Sequence, residues 1–443
     1  MKVKLSENLQ KGYGMDKKLY DAHLQVLKAE LLPALGCTEP GAVAFTAAKA
    51  VSVLGKKPEK MEVRSSGNIV KNVKGVIVPN SGGLRGIAPA AILGAMVAKP
   101  ELELEILDAV TEKEIEETRK YLDTDFCKST LKEGEGNLYV EVTVWAGDES
   151  AKAAIKNNHT NIELLEKNGE IIESGDASDN YDSIDEFKKM MTVDSILEFA
   201  KEAKLEDVKE TLDTAINYNM AIAEEGLKGI YGAEVGKTLI ETYGADDVLV
   251  RLKAKAAAGS DARMAGSVMP VVINSGSGNQ GITVTVSITE YARGTEASEE
   301  QMYRALLIGN LISIHIKSYI GPLSAFCGAV SAASGSSAGI TYLAGGNDNQ
   351  IKMAITNVIC DAGGMVCDGA KSSCASKIAT SLDAAIMASK MAMSNRVYQS
   401  GEGLVLDDVE ETIKNIGYMG RVGMKDTDVE ILQMMLGNVD TNV

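Results

Sequence analysis

The stretch Leu138-Tyr-Val-Glu-Val-Thr-Val-Trp-Ala146 has a small or branched aliphatic side chain at every second position and a polar or aromatic side chain between them. A period of two is typical of a β-strand with one buried face, so this stretch predicts a strand. Outward from it, strand-like runs alternate with helical runs through the N-terminal part of the chain. The other candidate strands are 61–64, 73–79, 101–107, 161–167 and 170–173, and the candidate helices are 40–54, 87–98 and 112–121.

The polar, turn-rich segment 175–183 predicts a linker. After it the pattern is mostly helical. The candidate helices are 184–203, 205–228, 244–258, 298–319, 323–333, 349–359, 374–393, 407–415 and 426–436, with a sheet-like insertion at 267–273 and 282–289. We therefore expect an α+β fold. Residues 1–180 would form an α/β domain with a mixed sheet, and residues 181–443 a mainly helical domain that carries most of the cysteines.

The chain of 443 residues has 62 acidic and 45 basic side chains, which gives a formal net charge of −17. Nucleic acids and anionic lipids bind to basic surfaces, so this charge argues against both as partners. The N-terminus has no apolar signal-peptide core, and polar side chains interrupt the longest apolar stretch, 305–320. We expect a cytoplasmic protein, and the helices rich in Ala, Gly and Met favour a homo-oligomer.

Side chains suited to catalysis are few. Three histidines, His23, His159 and His315, leave little scope for a His-rich metal site or a Ser-His-Asp triad. The chain also has six cysteines. In a cytoplasmic protein, cysteines indicate metal ligands, catalytic groups or core residues before they indicate disulfides.

The last third of the chain carries four of the cysteines, Cys327, Cys360, Cys367 and Cys374. None forms a Cys-x-x-Cys pair, and Cys367 and Cys374 flank a turn that contains glycine. Thiolates gathered on such loops suit an iron–sulfur cluster or zinc. Cysteine is also among the most buried residue types. Spacing alone therefore leaves metal binding and core packing equally open.

Cys37 lies in a different context, Leu35-Gly-Cys37-Thr-Glu-Pro40. Proline suits the first turn of a helix, so this thiol comes just before a predicted helix N-terminus. The partial positive charge of a helix N-terminus lowers a thiol pKa and favours the reactive thiolate. A structural thiol is the alternative. Cys127 has no comparable context, and we interpret it as structural.

Three loops rich in Gly, Ser and Asn could offer backbone N–H groups to an anion. The loop 274–281 contains Gly276-Ser-Gly278-Asn-Gln-Gly281, which matches the dinucleotide-binding pattern. That pattern must open a helix, and the strand predicted at 282–289 argues against NAD. The other two loops are 65–69 and 79–83. Each loop could hold the carboxylate of a small acid or be a plain turn.

These loops supply the candidate substrate-binding residues. Lys371, close to Gly369, is a further candidate to orient a carboxylate, and a surface lysine at a turn is the alternative. The complete set is Ser65, Ser66, Asn68, Asn274, Ser275, Asn279 and Lys371.

Taken together, the motifs resemble the L-cysteine desulfidases, a family related to the alpha chain of the iron–sulfur L-serine dehydratases. Their order and spacing are kept over nearly the whole chain. The motifs are Leu35-Gly-Cys37-Thr-Glu-Pro40, Ser65-Ser-Gly-Asn68, Leu323-Ser-Ala-Phe-Cys327-Gly and Met365-Val-Cys367-Asp-Gly-Ala-Lys371-Ser-Ser-Cys374.

This resemblance implies an oxygen-sensitive [4Fe-4S] cluster held by Cys327, Cys367 and Cys374, with Cys37 as the general base. Cys360 is then a fourth thiol without a role, and as a ligand it would close the cluster. Three ligands leave one iron open as a Lewis acid. The implied reaction is the β-elimination of L-cysteine, a small amino-acid substrate, to sulfide, pyruvate and ammonia.

Three alternatives remain open from the sequence. An L-serine dehydratase would use the same elimination with hydroxide as the leaving group. A non-catalytic iron–sulfur redox sensor would use the same cysteines without turnover. Structural zinc could occupy the same thiols.

Overall fold

The computed structural model describes residues 14–36, 38–135, 138–175, 181–321 and 323–439. The expected α+β class is confirmed, because a mixed sheet lies in the N-terminal half and helices make up the C-terminal part. The proposed linker lies partly outside the described residues, and the domain boundary at residue 180 stays a prediction. None of the described helices is long and apolar enough to cross a membrane.

The main sheet has six strands in the order β3-β2-β4-β5-β6-β7. Strand β2 pairs parallel with β3, which places Met61 opposite Cys127, and all other neighbours are antiparallel. The strands are β2 (Lys60–Ser65), β3 (Cys127–Leu131), β4 (Tyr139–Ala146), β5 (Glu149–Lys156), β6 (Ile162–Lys167) and β7 (Glu170–Ser174). A separate antiparallel pair joins β1 (Pro33–Leu35) to β8 (Pro270–Val272).

One face of the main sheet packs on the N-terminal helices and forms the first core. These helices are α2 (Thr38–Leu54), α3 (Gly67–Lys74), α4 (Ile87–Val97) and α5 (Glu112–Leu122), with a 3₁₀ segment at Pro100–Ala109. Helix α2 is buried along most of its length because alanines let it approach both the sheet and α4. Pro40 lies in its first turn, as the sequence predicted.

A second core holds the C-terminal helices together, and helix α1 (Lys17–Glu30) joins it although it precedes the sheet in sequence. The C-terminal helices are α6 (Tyr181–Met190), α7 (Val193–Glu202), α8 (Leu205–Lys228), α9 (Val235–Tyr243), α10 (Val248–Met264), α11 (Gly278–Gly294), α12 (Glu299–Ile320), α13 (Gly328–Leu343), α14 (Asp348–Ala362), α15 (Cys374–Met393), α16 (Val409–Tyr418) and α17 (Lys425–Leu436).

Several sequence-based elements were wrong. The predicted strand 73–79 is the end of α3 and a loop, and 101–107 lies in the 3₁₀ segment. The predicted strand 282–289 lies within α11. Its alternating Thr and Val imitate a strand, but both kinds of side chain are buried in the helical core. The Thr283 hydroxyl donates a hydrogen bond of 2.7 Å to the Asn279 carbonyl one turn back.

Helix α13 is central to the helical part because small side chains let its neighbours approach closely. It packs on α11, α12, α14 and α15, and its residues 329–341 are all buried. A methyl group added at Gly335 would overlap the backbone carbonyl of Gly309 in α12. This contact leaves no room for any side chain larger than hydrogen.

We expect Gly335→Ala to destabilise the protein by about 1–3 kcal/mol, because the added methyl group forces α12 and α13 apart. Urea unfolding followed by circular dichroism measures this change. Gly364→Ala is the matched control, since an added methyl group there meets no atom within 4 Å. Equal effects of the two substitutions would contradict the packing argument.

Candidate active site

A cavity of about 730 Å³ lies between the N-terminal part and the helical part. Thr38 and Glu39 from α2, Asn72 from α3 and His159 from the β5–β6 loop line its N-terminal side. The helical side includes three cysteines, two lysines close to them and one buried arginine. These residues are Cys327, Cys367, Cys374, Lys317, Lys377 and Arg263.

A short antiparallel bridge between Phe326 and Val366 brings Cys327 and Cys367 together. The Cys327 N–H donates to the Met365 carbonyl at 3.0 Å, and the Cys367 N–H donates to the Ala325 carbonyl at 2.6 Å. Two segments far apart in sequence are thereby joined at the points where their thiols occur.

The third cysteine reaches the same cavity through a tight turn. The Cys374 N–H donates to the Lys371 carbonyl at 2.9 Å, and Cys374 is the first residue of α15. Cys327 holds the equivalent place, because α13 begins at the next residue. Two of the three thiols therefore lie at helix N-termini, whose partial positive charge opposes the rise in pKa that burial causes at Cys327 and Cys374.

Burial and neighbouring groups shift pKa values in this cavity. Burial, and then the neighbouring Cys367 and Cys374, raise the pKa of Cys327 to about 12. Burial lowers the pKa of Lys317 to about 8, although the nearby Cys367 and Cys327 act in the opposite direction. A thiol with such a raised pKa stays protonated until a bound metal displaces its proton.

The loop that carries Cys367 rests on helix α3. Lys71 of α3 is only 2% exposed, forms an ion pair with Asp428 of α17, and approaches the Cys367 carbonyl at 3.5 Å. Lys371, a predicted substrate-binding residue, donates to the carbonyls of Asp368 and Gly369 within this loop. It does not line the cavity, and its contacts shape the loop instead.

Cys360 lies apart from the other three C-terminal cysteines. It is exposed near the end of α14 and does not line the cavity. Cys127 lies in β3, and burial raises its pKa to about 12. Across the described part of the chain, no three His, Cys, Asp or Glu side chains are grouped closely enough for a single metal ion.

The predicted substrate-binding residues divide into two groups. Ser275 and Asn279 line the cavity. Asn274 is fully buried, donates to the Asn310 side chain at 3.0 Å and accepts from Ser313 at 3.1 Å, so its role is to hold the loop against α12.

Ser65, Ser66 and Asn68 lie where β2 leads into α3 and are buried without lining the cavity. The Ser66 hydroxyl accepts a hydrogen bond of 3.2 Å from the Tyr139 N–H. Ser65 Oγ and Asn68 Oδ1 are buried and have no hydrogen-bond partner within the described ranges. Cys37, the predicted base, lies outside the described residues.

The glycine loop 274–281 opens a helix, so the ground on which the sequence argued against NAD was wrong. It follows β8 and leads into α11, whose N-cap Ser277 accepts from the Gln280 N–H. However, β8 pairs antiparallel with β1, whereas the dinucleotide-binding unit uses parallel strands. The glycines serve packing: a methyl group at Gly278 would overlap Arg263.

Sequence reasoning missed several residues of the cavity wall. His159 Nε2 is buried without a hydrogen-bond partner in the described structure, and burial lowers the His159 pKa. Its signal in the sequence is the run Asn157-Asn-His159-Thr-Asn161 between two strands. Others are Glu39 and Gln280, which lie within motifs that the sequence singled out but were given no role of their own. Nothing in the local sequence marks Asn72, Arg263 and Lys317, because distant elements bring them to the cavity.

Residues 101–433 match the family model described as serine dehydratase alpha chain. The chain belongs to this family. The match includes the three cavity cysteines, His159 and Arg263. It confirms the resemblance to the alpha chain of the iron–sulfur serine dehydratases and indicates a lyase-type enzyme.

Close relatives carry the family name UPF0597. The chain is 46% identical over 418 residues to a UPF0597 protein of Lachnoclostridium phytofermentans, covering 94% of this chain and 100% of the relative. A UPF0597 protein of Desulfitobacterium hafniense is 46% identical over 420 residues, covering 95% and 97%. A Treponema denticola relative is 40% identical over 427 residues, covering 95% and 99%. The likeness therefore extends well beyond the serine dehydratase region.

Proposed function

We propose that this member of the serine dehydratase alpha chain family is an iron–sulfur-dependent L-cysteine desulfidase. It would convert L-cysteine to sulfide, pyruvate and ammonia in the cytoplasm, as a homo-oligomer. The observation that carries the proposal is the convergence of Cys327, Cys367 and Cys374 on one cavity wall. Cys360, the fourth C-terminal cysteine, lies elsewhere and is exposed.

The donor set of this wall fits an iron–sulfur cluster. Thiolates are the usual ligands of such clusters, and the cationic side chains of Lys317 and Lys377 offset their charge. A four-iron cluster is larger than one ion, so thiols that do not close around a single ion can still hold it. When bound through three thiolates, the cluster supplies an open iron that acts as a Lewis acid toward the leaving group.

Elimination also requires a group that removes the Cα proton. We assign this role to Cys37, because both of its neighbours in sequence belong to the cavity region. The Gly36 carbonyl accepts a hydrogen bond of 2.8 Å from Arg263, and Thr38 lines the cavity. Helix α2 begins at Thr38, and a helix N-terminus favours a thiolate.

The reaction balances without an oxidant or reductant. The base takes the Cα proton, the electron pair of that bond forms the Cα–Cβ double bond, and the Cβ–S bond breaks to release sulfide. The aminoacrylate product tautomerises to an imine, which one water molecule hydrolyses to pyruvate and ammonia. With L-serine the same steps would release hydroxide.

His159 is a second cavity group that can take up a proton. Burial lowers its pKa, so the ring is neutral near pH 7, and its Nε2 faces no acceptor or donor among the described residues. The negative charge of Glu39, which lies nearby, partly opposes this by raising the His159 pKa. A neutral imidazole in this position can receive a hydrogen bond or a proton from a ligand.

Anaerobic reconstitution tests the ligand set. We expect about four iron and four sulfide per chain, as in a 4Fe–4S cluster, with visible absorbance. Cys327→Ser, Cys367→Ser and Cys374→Ser should each lower the iron content, because each removes a thiolate ligand. Cys360→Ser is the matched control and should retain the iron.

The same preparation distinguishes the alternatives. Zinc without sulfide in anaerobically purified protein would establish the structural-zinc alternative, and a full cluster without turnover would favour the redox sensor.

The substrate is tested by comparing L-cysteine with L-serine in the reconstituted protein. We expect a higher kcat/KM for L-cysteine, measured as sulfide and pyruvate release, because a thiolate leaves more readily than hydroxide and binds iron well. Pyruvate formation from L-serine with the higher kcat/KM would make the enzyme an L-serine dehydratase, which the family match also allows.

The proton-accepting group is tested by Cys37→Ala and His159→Asn. We expect Cys37→Ala to lower kcat by about 10²-fold or more with unchanged iron content, since general bases contribute about 10²–10⁴-fold. His159→Asn should cause a smaller loss. If Cys37→Ala kept full turnover while His159→Asn abolished it, the base would be His159.

A further inference from the structure

We propose that Arg263 and Gln280 form a clamp for the zwitterion of a free α-amino acid. Arg263 takes the α-carboxylate, and Gln280 Oε1 accepts from the α-ammonium. The clamp deepens the proposed function and rests on it for the identity of the substrate. It concerns the cavity wall at the start of α11, whereas the predicted serine and asparagine loop at the start of α3 does not line the cavity.

Arg263 is a buried cation without an ion-pair partner in the part of the chain that the structure describes. It lies near the end of α10, lines the cavity and is 3% exposed. Its Nε donates to the Gly36 carbonyl at 2.8 Å and its Nη1 donates to Asn279 Oδ1 at 3.1 Å. No acidic side chain in the described ranges forms an ion pair with it. A buried charge needs compensation, and a guanidinium matches a carboxylate in shape.

The start of helix α11 adds to this positive region. Ser275, Ser277 and Asn279 line the cavity at the N-terminus of a helix of 17 residues. The first N–H groups of a helix attract anions. Asn279 also accepts a hydrogen bond from Arg263. The loop 274–281 therefore positions both the guanidinium and the first N–H groups of α11.

Gln280 supplies the complementary acceptor. It follows Asn279 directly, lines the cavity and is 3% exposed. Its Oε1 is buried and has no hydrogen-bond partner among the described residues. An orphaned buried acceptor is costly unless a ligand donates to it. An α-ammonium, one carbon away from the carboxylate, is such a donor.

The charge balance favours a zwitterion over a simple anion. The chain carries a net charge of −17, which repels anions at long range. A zwitterion has no net charge to repel, and the positive region around Arg263 binds its carboxylate once it enters. Arg263 also donates to the carbonyl of Gly36, the residue before Cys37 in sequence. The same side chain would therefore bind the substrate carboxylate and hold the backbone next to the proposed base.

The test uses L-alanine, which has no leaving group, together with alaninamide and propionate, which lack the carboxylate and the ammonium respectively. Calorimetry on the cluster-reconstituted protein measures equilibrium binding. We expect Arg263→Gln to weaken L-alanine binding by about 10–100-fold and to leave alaninamide binding unchanged. Gln280→Leu should weaken L-alanine binding and leave propionate binding unchanged.

Arg85→Gln is the matched control, because Arg85 donates to the Gly75 carbonyl outside the cavity. It should bind L-alanine as the unmodified protein does. Arg263→Lys keeps the positive charge but lacks the two-pronged guanidinium, so its affinity for L-alanine should lie between those of the unmodified protein and Arg263→Gln. This intermediate affinity would show that the loss in Arg263→Gln does not come from unfolding. An Arg263→Gln protein that is folded and binds L-alanine normally, or that loses L-alanine and alaninamide equally, overturns the clamp.

The outcomes separate the clamp from the proposed function. If L-alanine binding depends on Arg263 but neither L-cysteine nor L-serine is turned over, the lyase proposal fails and the clamp stands. If sulfide is released from L-cysteine with the same KM in Arg263→Gln as in the unmodified protein, the clamp fails and the lyase proposal stands.

Discussion

The site depends on one short backbone interaction, the antiparallel bridge between Phe326 and Val366. Its hydrogen bonds join the segment before α13 to the loop before α15, and each segment carries a cysteine at the point of contact. These two segments are otherwise separate: Cys327 is the N-cap of α13, and Cys367 lies in the loop between α14 and α15. Helix α3 packs against this bridge, because its buried Lys71 contacts the Cys367 carbonyl and forms an ion pair with Asp428 of α17. The N-terminal part and the last helix of the chain therefore both support the cysteine loop.

The cavity combines groups that would be unfavourable in an ordinary core. Among the described residues it contains a guanidinium without an ion-pair partner, an amide oxygen and an imidazole nitrogen without hydrogen-bond partners, and three thiols at one wall. Buried polar groups without partners lower stability. Their concentration in one place is typical of a site shaped for a ligand rather than for stability. The helices around it compensate with close packing of small residues, as at Gly335 in α13.

The glycine loop 274–281 shows how local sequence misleads. Its pattern matches a dinucleotide loop, and the Thr and Val that follow match a strand. In the structure the Thr and Val belong to α11, because a helix surrounded by other helices buries all its faces and needs no amphipathic period. The glycines leave space for Arg263 and for the close approach of β8. The local period could not reveal this, since it depends on neighbours that are distant in sequence.

The sequence alone determined the α+β class, most helices of the C-terminal part, the family resemblance and the three cysteines that share the cavity. These features follow from local periodicity and from residue types with few chemical uses, such as cysteine in a chain with three histidines. Only the tertiary structure decided that Cys360 lies apart, that Asn274 holds a loop, and that His159, Arg263 and Gln280 face the cavity. The physical reason is that the elements packed around a polar side chain decide whether it is buried and which hydrogen-bond or ion-pair partners it has. These elements are distant in sequence, so the local spacing of residues does not show them.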